Sequence, residues 1–287
     1  MISVIQILRY AVPTAFGAIG ESVVQRAGII NVGLEGLMLG SAFSATIVSS
    51  STGNPWLGIL AGMVSGILTA LFFGILVIKF SLDQIVVGTA INLLSLGICG
   101  TLFEKQGATG KLMNLPPLPK FFGSLDVVIV LLVLGAVGIG FTLYRSDFGL
   151  KLRAVGEYPE AVVAAGFNPA KLRYQALSIG GFLGGIGGAY LALGISQSFT
   201  TEMVAGRGFI AIALVTFARW RPIGILFSAM MLGLFEVLQF ELQLNGSQIP
   251  RSLLLALPYV ATLIILVFVG RGTRAPQSLG VPFKESE

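Results

Sequence analysis

The chain contains no histidine and a single cysteine, Cys99, in 287 residues. Those absences remove most transition-metal sites, any disulfide framework and the Ser-His or Cys-His nucleophile schemes. Charge is scarce as well. Asp, Glu, Lys and Arg make up 11% of the residues, against about a quarter in soluble domains. What is present instead is apolar: 55% of the side chains, with 38 glycines and 20 phenylalanines. A water-soluble fold of this length could not enclose so much apolar surface, so the bilayer is its solvent. The net charge of +5 is modest. Its distribution speaks to orientation in a membrane, not to a nucleic-acid polymer.

A hydrocarbon core of about 30 Å takes about 20 helical residues at about 1.5 Å each. Apolar runs of that order lie near 4–20, 33–51, 56–79, 84–103, 124–144, 176–197, 221–241 and 252–270, with a shorter one at 203–218. No charged segment precedes the first run and no small-residue cleavage site follows it, so no cleavable leader is expected. The chain reads as one transmembrane domain over 1–287, with a cytoplasmic loop near 145–173 and a cytoplasmic tail near 271–287. Placing that loop and tail inside puts twelve of the 18 Lys and Arg on the same side, Arg26, Lys79, Arg219 and Arg221 included, as the positive-inside rule requires. Lys105, Lys111 and Lys120 count against it. The short run 203–218 must then complete a crossing as an extended or broken element buried in protein. The expected fold is all-α, a polytopic helical bundle of about nine transmembrane helices (eight to ten) with the amino terminus outside.

Glycine recurs at helical spacing. Gly180, Gly184 and Gly188 form one stripe, Gly181, Gly185 and Ala189 a second beside it, and Gly62, Gly66, Ala70 and Gly74 a third. Such faces let helix backbones approach closely in lipid. No Lys-Ser or Lys-Thr follows the cluster from Gly180 to Gly188 and no strand precedes it, so it reads as packing, not as a nucleotide loop. The chain carries no nucleotide-binding signature, and any ATP that powers it is bound by another polypeptide.

Polar residues inside the spans are costly, about 2.5–3.5 kcal/mol for a charge on insertion scales. Glu21, Glu35 and Glu236 stand out. Asn31 and Glu35 are four apart, share a helix face and flank Gly33 and Gly36, which suggests an unwound start to the second span. Two readings stay open for Glu35: a structural ion pair, for example with Arg26, or a place in a solute cavity. Thr89, Asn92, Ser95 and Cys99 form a stripe that either lines a solute path or bonds between helices. Asp83 reads as an N-cap. Glu236, Gln239 and Gln243 share a late face of their span. Arg207, between Gly206 and Gly208, reads chiefly as an interfacial side chain, with a solute or partner as the alternative.

The loop 145–173 is the long intracellular connection. From 153 it reads Arg-Ala-Val-Gly-Glu-Tyr-Pro-Glu-Ala-Val-Val-Ala-Ala-Gly-Phe-Asn. Pro159 suits a first helical turn, Glu160 favours a helix N-terminus and Gly166 suits a C-terminal cap. A helix of two turns or fewer is marginal in water, so it must dock on something.

At this point the chain resembles the permease subunits of ABC importers, in the branched-chain amino acid, ribose and galactose permease group. The stretch 154–166 is similar to that group's coupling helix. The stretch 26–40, Arg-Ala-Gly-Ile-Ile-Asn-Val-Gly-Leu-Glu-Gly-Leu-Met-Leu-Gly, resembles the Asn-Ile-Gly-x-Glu-Gly segment of its nucleoside and simple-sugar branch. Gly-Arg-Gly-Phe-Ile-Ala-Ile-Ala at 206–213, Arg-Trp-Arg-Pro-Ile-Gly at 219–224, Leu-Pro-Tyr-Val-Ala-Thr at 257–262 and Arg-Ala-Pro-Gln-Ser-Leu-Gly-Val-Pro at 274–282 are further landmarks, in order along the chain. Ala218-Arg219 replaces a frequent Gly-Lys, with charge kept.

The resemblance implies a type II importer permease without catalytic residues or a metal, multi-pass in the cell membrane. It implies a second homologous permease, ABC ATPase subunits that hold the ATP and magnesium, and an extracellular solute-binding lipoprotein. Gly156, Glu157, Pro159, Glu160, Ala164, Ala165 and Gly166 would couple to the ATPase. Asn31, Glu35, Thr89, Asn92, Ser95, Glu236 and Gln239 are the candidate translocation path. The expected cargo is a nucleoside, with a ribose- or galactose-type sugar or a flavin-like solute as alternatives. A different class of reading is a stand-alone proton-coupled transporter in which Glu35 or Glu236 carries the proton. The absence of His and the scattering of the carboxylates disfavour an intramembrane enzyme, which needs convergent acid, base or metal groups.

Overall fold

The computed structural model describes residues 3–107, 115–122, 125–244, 250–269 and 274–281. Lys111, Arg271 and Lys284, to which the sequence assigns sides, lie outside the described residues.

Each apolar run expected to form a helix does so. The elements are α1 Val4–Arg26, α2 Leu34–Thr52, α3 Pro55–Gly74, α4 Gln84–Gly107, α5 Val127–Arg145, α6 Asp147–Glu157, α7 Pro159–Ala164, α8 Pro169–Tyr190, α9 Arg207–Phe217, α10 Pro222–Leu244 and α11 Arg251–Val269. A small hairpin, β1 Lys120–Phe122 against β2 Leu125–Asp126, precedes α5. Among the described residues, five segments are long and apolar enough by themselves to cross a membrane: Pro55–Lys79, Gln84–Lys105, Val127–Arg145, Pro169–Ser196 and Pro222–Leu244. Helices α1 and α2 match them in length but carry more polar side chains, and much of their surface is buried in the bundle. The protein is a polytopic helical membrane protein.

Local chemistry sets the helix ends. Ser3 and Gln6 form a reciprocal capping box on α1, satisfying donors the first turn leaves open. Asn54 and Asn168 cap α3 and α8 ahead of Pro55 and Pro169. Asp83 Oδ1 accepts from the N–H groups of Ile85 and Val86, the expected cap. Two helices end in wide π-type turns, Ile75–Lys79 after α3 and Leu191–Ser196 after α8.

Helix α8 is the centre of the bundle, packed on α1, α2 and α3. Its two glycine stripes serve different neighbours. Gly180, Gly184 and Gly188 face Gly20 and Val24 of α1 and Leu34, Leu37 and Met38 of α2, while Gly181 and Gly185 meet Gly62, Gly66 and Ala70 of α3. At Gly185 the helices are so close that an added Cβ would lie 2.5 Å from the Gly62 carbonyl oxygen and 2.9 Å from the Met63 Cα.

The two ends of the bundle are chemically distinct. At one, the Arg9 guanidinium forks onto Asp126 at 3.0–3.2 Å and the Tyr190 hydroxyl donates to the same carboxylate at 2.7 Å. This fastens α1, α5 and the end of α8 together. At the other, Arg26 lies over the rings of Tyr144 and Trp220, and Arg153 over Tyr144. The ends of α1, α5 and α9 thus meet, as the positive-inside assignment requires of them.

The loop 145–173 holds more structure than expected. Besides the predicted short helix (α7, Pro159 in its first turn), it contains α6, whose Leu152 and Val155 are buried and whose Phe148 packs beside them. That i, i+4, i+7 pattern is hidden among Lys151 and Arg153.

Candidate functional site

Ten residues, 197–206, separate the π-type turn after α8 from α9 without regular helix. Ala205 and Gly206 take left-handed backbone (φ 48° and 78°) and turn the chain into α9. Helix α9 is 11 residues long, about 16 Å at 1.5 Å per residue, so the chain at 203–218 is a broken element, as its length demanded.

Glu35 binds the start of α9. Its Oε1 accepts from the Gly206 N–H and its Oε2 from the Gly208 N–H, both at 2.7 Å. A carboxylate here satisfies orphan donors and complements the positive end of the helix dipole. A Cβ on Gly208 would lie 2.5 Å from the Glu35 nitrogen, so this approach needs glycine. Of the two readings open for Glu35, the ion pair with Arg26 does not form, and Arg26 meets Tyr144 and Trp220 instead.

Arg207 is not interfacial. It donates to Glu236 Oε2 at 3.1 Å, with only 17% and 11% of the two side chains exposed, and also to the Met203 and Val204 carbonyls. The pairing has a physical cause: neither charge is tolerable alone at that depth. The Tyr259 hydroxyl donates to the Ala205 carbonyl. The broken junction is therefore held from α2, α10 and α11.

Beside this junction is a cavity of about 390 Å³ lined by Glu35, Gly36, Leu39, Asn92, Leu93, Leu96, Thr201, Glu202, Val204 and Ala205, a size that suits a small organic molecule. Asn92 spans its edge. Its Nδ2 donates to the Val32 carbonyl at 3.0 Å and its Oδ1 accepts from the Gly36 N–H at 2.8 Å. Ser95 approaches Gly36 next to it. The lining thus combines a carboxylate, an amide, Thr201 and Glu202 with three leucines. That combination can bond hydroxyl and amino groups while an apolar face rests on the leucines.

The structure divides the remaining predicted path residues. Thr89 is exposed and its hydroxyl returns to the Ile85 and Val86 carbonyls. Cys99 is a buried free thiol in the apolar core. Asn31 is buried, and its N–H donates to Glu21, whose carboxylate also takes the Gln25 amide. Glu236 and Gln239 are buried on α10 behind the junction. Thr201 and Glu202 escaped the sequence reading, because a non-helical stretch offers no periodicity from which to place a side chain; Tyr259, in the landmark at 257–262, is on α11 and its contact with Ala205 bridges 54 positions.

At the other end of the bundle, α6 and α7 form a knob. Gly166 takes φ +80° and its N–H donates to the Val163 carbonyl, closing α7. Glu160, Ala164, Ala165 and Gly166 are exposed, with Tyr158, Val163 and Phe167 forming an exposed apolar face around them. Pro159 is buried, and Gly156 abuts the Arg26 carbonyl. Glu157 Oε2 accepts from the Gln277 N–H at 3.3 Å.

Residues 3–269 match the family model described as branched-chain amino acid transport system / permease component. The chain belongs to this permease family. As a permease component it is a non-catalytic, multi-pass membrane subunit of an ABC transporter. It is 36% identical over 307 residues to the guanosine ABC transporter permease protein NupQ of Bacillus subtilis, covering 96% of this chain and 94% of that protein. It is 36% identical over 310 residues to the nucleoside ABC transporter permease protein NupC of Lactococcus lactis, covering 100% and 98%. The putative glucose ABC transporter permease protein TsgC13 of Haloferax volcanii is 36% identical over 239 residues, 78% of this permease and 73% of that one. No solved structure matches the permease significantly.

Proposed function

We propose that this permease imports nucleosides across the plasma membrane, driven by ATP hydrolysed on a partner subunit. The observation that carries this reading is the end-to-end relationship to permeases named for guanosine and nucleosides. The cavity supports it, since ribose hydroxyls match Glu35, Asn92, Thr201 and Glu202 and a base matches Leu39, Leu93 and Leu96. The translocation path runs past that cavity, with Glu35 and Asn92 on its wall and Glu236 holding the junction behind it. The knob at 156–166 engages the ATPase, which binds ATP and magnesium. Its exposed apolar face of Tyr158, Val163 and Phe167 has the aromatic character of an interface. A second permease and an external binding lipoprotein complete the importer. Each cycle is a shift between two packings, biased by differential binding of ATP and the loaded binding protein.

A second reading, a simple sugar as cargo, is supported by the likeness to the glucose-named relative and by the same hydroxyl-bonding residues. The test is uptake of radiolabelled guanosine, ribose and glucose by cells with and without this chain. Loss of guanosine uptake alone is expected on deletion. Intact guanosine uptake with loss of ribose or glucose uptake would overturn the nucleoside assignment.

A further inference from the structure

Between α1 and α2 the chain is non-helical at 27–33, yet it lies inside the bundle: Ala27, Ile29 and Asn31 are at most 3% exposed. Its foot is at the level of the C-terminal end of α9, where the Trp220 indole donates to Gln25 at 2.8 Å. Its head is at the level of the N-terminal end, where Glu35 holds Gly206 and Gly208. The stretch 25–35, with this segment at its centre, therefore reaches from the level of one end of α9 to that of the other, about 16 Å.

Non-helical backbone at membrane depth must find partners within the protein. Here the partners come from many elements. Arg173 of α8 donates to the Ala27 carbonyl at 3.2 Å, and the Gly280 N–H donates to the Gly28 carbonyl at 3.1 Å. The Ile30 N–H donates to Gln84 of α4 at 2.8 Å, the Asn31 N–H to Glu21 of α1 at 3.0 Å, and Asn92 to the Val32 carbonyl at 3.0 Å.

Both ends are in direct contact with other elements, the knob and the α9 junction. At the foot, a Cβ on Gly28 would lie 2.5 Å from the Ser278 hydroxyl oxygen. That hydroxyl reaches the Val155 and Gly156 carbonyls at the end of α6 at 3.0 and 2.8 Å, and the Ser278 N–H donates to the Gly156 carbonyl at 2.9 Å. The tail segment 274–281 thus clips the knob to the foot. At the head, Gly33 lies against Gly88, where an added Cβ would be 2.7 Å from the Gly33 nitrogen. Two residues further on is the carboxylate that carries α9.

We propose that residues 27–33 are the rod that conveys knob movement to the cavity, with Ser278 fastening its foot and Gln84 its middle. A helix closes most of its hydrogen bonds on itself, whereas this segment, besides the local turn bonds of Ala27, Gly28, Ile29 and Val32, takes five from α1, α4, α8 and the tail and must follow them. Gln84 and Ser278 are positioning residues: they touch no solute and hold the segment that sets Glu35. The proposal rests on the reading of 156–166 as the site that engages the ATPase.

The test uses the complete transporter in proteoliposomes, scored as guanosine imported per ATP hydrolysed. Gln84→Leu, which keeps the bulk and removes the acceptor, is expected to lower that ratio at least fivefold with ATPase activity retained. Gln84→Glu, which restores the acceptor, is expected to recover it. An unchanged ratio in Gln84→Leu, or a loss in Gln84→Glu as deep as in Gln84→Leu, would overturn the rod. Should Gln84→Leu fail to assemble, Ser278→Ala at the half-buried clip decides the matter: a lowered ratio supports the rod and an unaltered one rejects it. If the wild-type transporter itself imports no nucleoside with ATP, the functional reading fails instead, and the two failures are told apart.

Discussion

The Arg207–Glu236 pair sets the terms on which this protein keeps charge at membrane depth. Breaking a buried pair by removing one partner typically costs about 3–5 kcal/mol, because the survivor is left uncompensated, whereas removing both is far cheaper. Glu236→Leu is expected to lose stability in that range, and Arg207→Met with Glu236→Leu to lose markedly less, measured by chemical unfolding in detergent micelles. An equal loss in the single and double variants would show that the pair does not anchor the junction. Sequence reading could flag both Glu35 and Glu236 as expensive, because a carboxylate in an apolar run is visible in one dimension. It could not name their partners. Glu35 reaches Gly206 and Gly208 across 171 and 173 positions, and no periodicity links residues that far apart. The same blindness made Arg207 look interfacial, since its compensating charge is on another helix.

At the scale of elements, the glycine stripes act as shape, and shape makes a sharp prediction. Gly185→Val forces side-chain atoms into the backbone of α3 at Gly62 and Met63. Overpacking typically costs about 1–3 kcal/mol even where side chains can yield, and here backbone must move. Loss of the monodisperse peak on size-exclusion chromatography is expected. Gly97→Val is the control, because a Cβ there meets nothing within 4 Å, and it should elute as wild type. The stripes were readable because a helix repeats its faces, and the spans because bilayer thickness fixes their length. Helix α6 was not read, though Phe148, Leu152 and Val155 carry its period, because the basic residues among them look like loop. The π-type turn after α8 had no sequence signal. It accompanies a contact that only the structure shows: Gly194 lies under the Tyr190 ring while the Tyr190 hydroxyl holds Asp126.

Under the proposed function the molecule has two chemically different stations, a cavity among the spans and a knob at one end of the bundle, and transport requires that they stay in register. Damage at the knob and damage between the stations should therefore leave different traces. Gly166 closes α7 with φ +80° and an N–H bonded to Val163. Proline there has no N–H and holds φ near −65°, so Gly166→Pro should unwind the end of the knob without touching the spans. Glu160→Arg reverses a charge on an exposed residue of the first turn of α7. In both variants, solute-stimulated ATPase and uptake are expected to fall together, with the amount of permease in the membrane unchanged. A break at Gln84, by contrast, should spare ATPase and lose uptake, because the engine still grips the knob. If Gly166→Pro or Glu160→Arg left stimulated ATPase and uptake intact, the knob would not be where force enters, whatever the cavity carries. If they instead retained ATPase and lost only uptake, force would enter elsewhere and the knob would belong to the transmission.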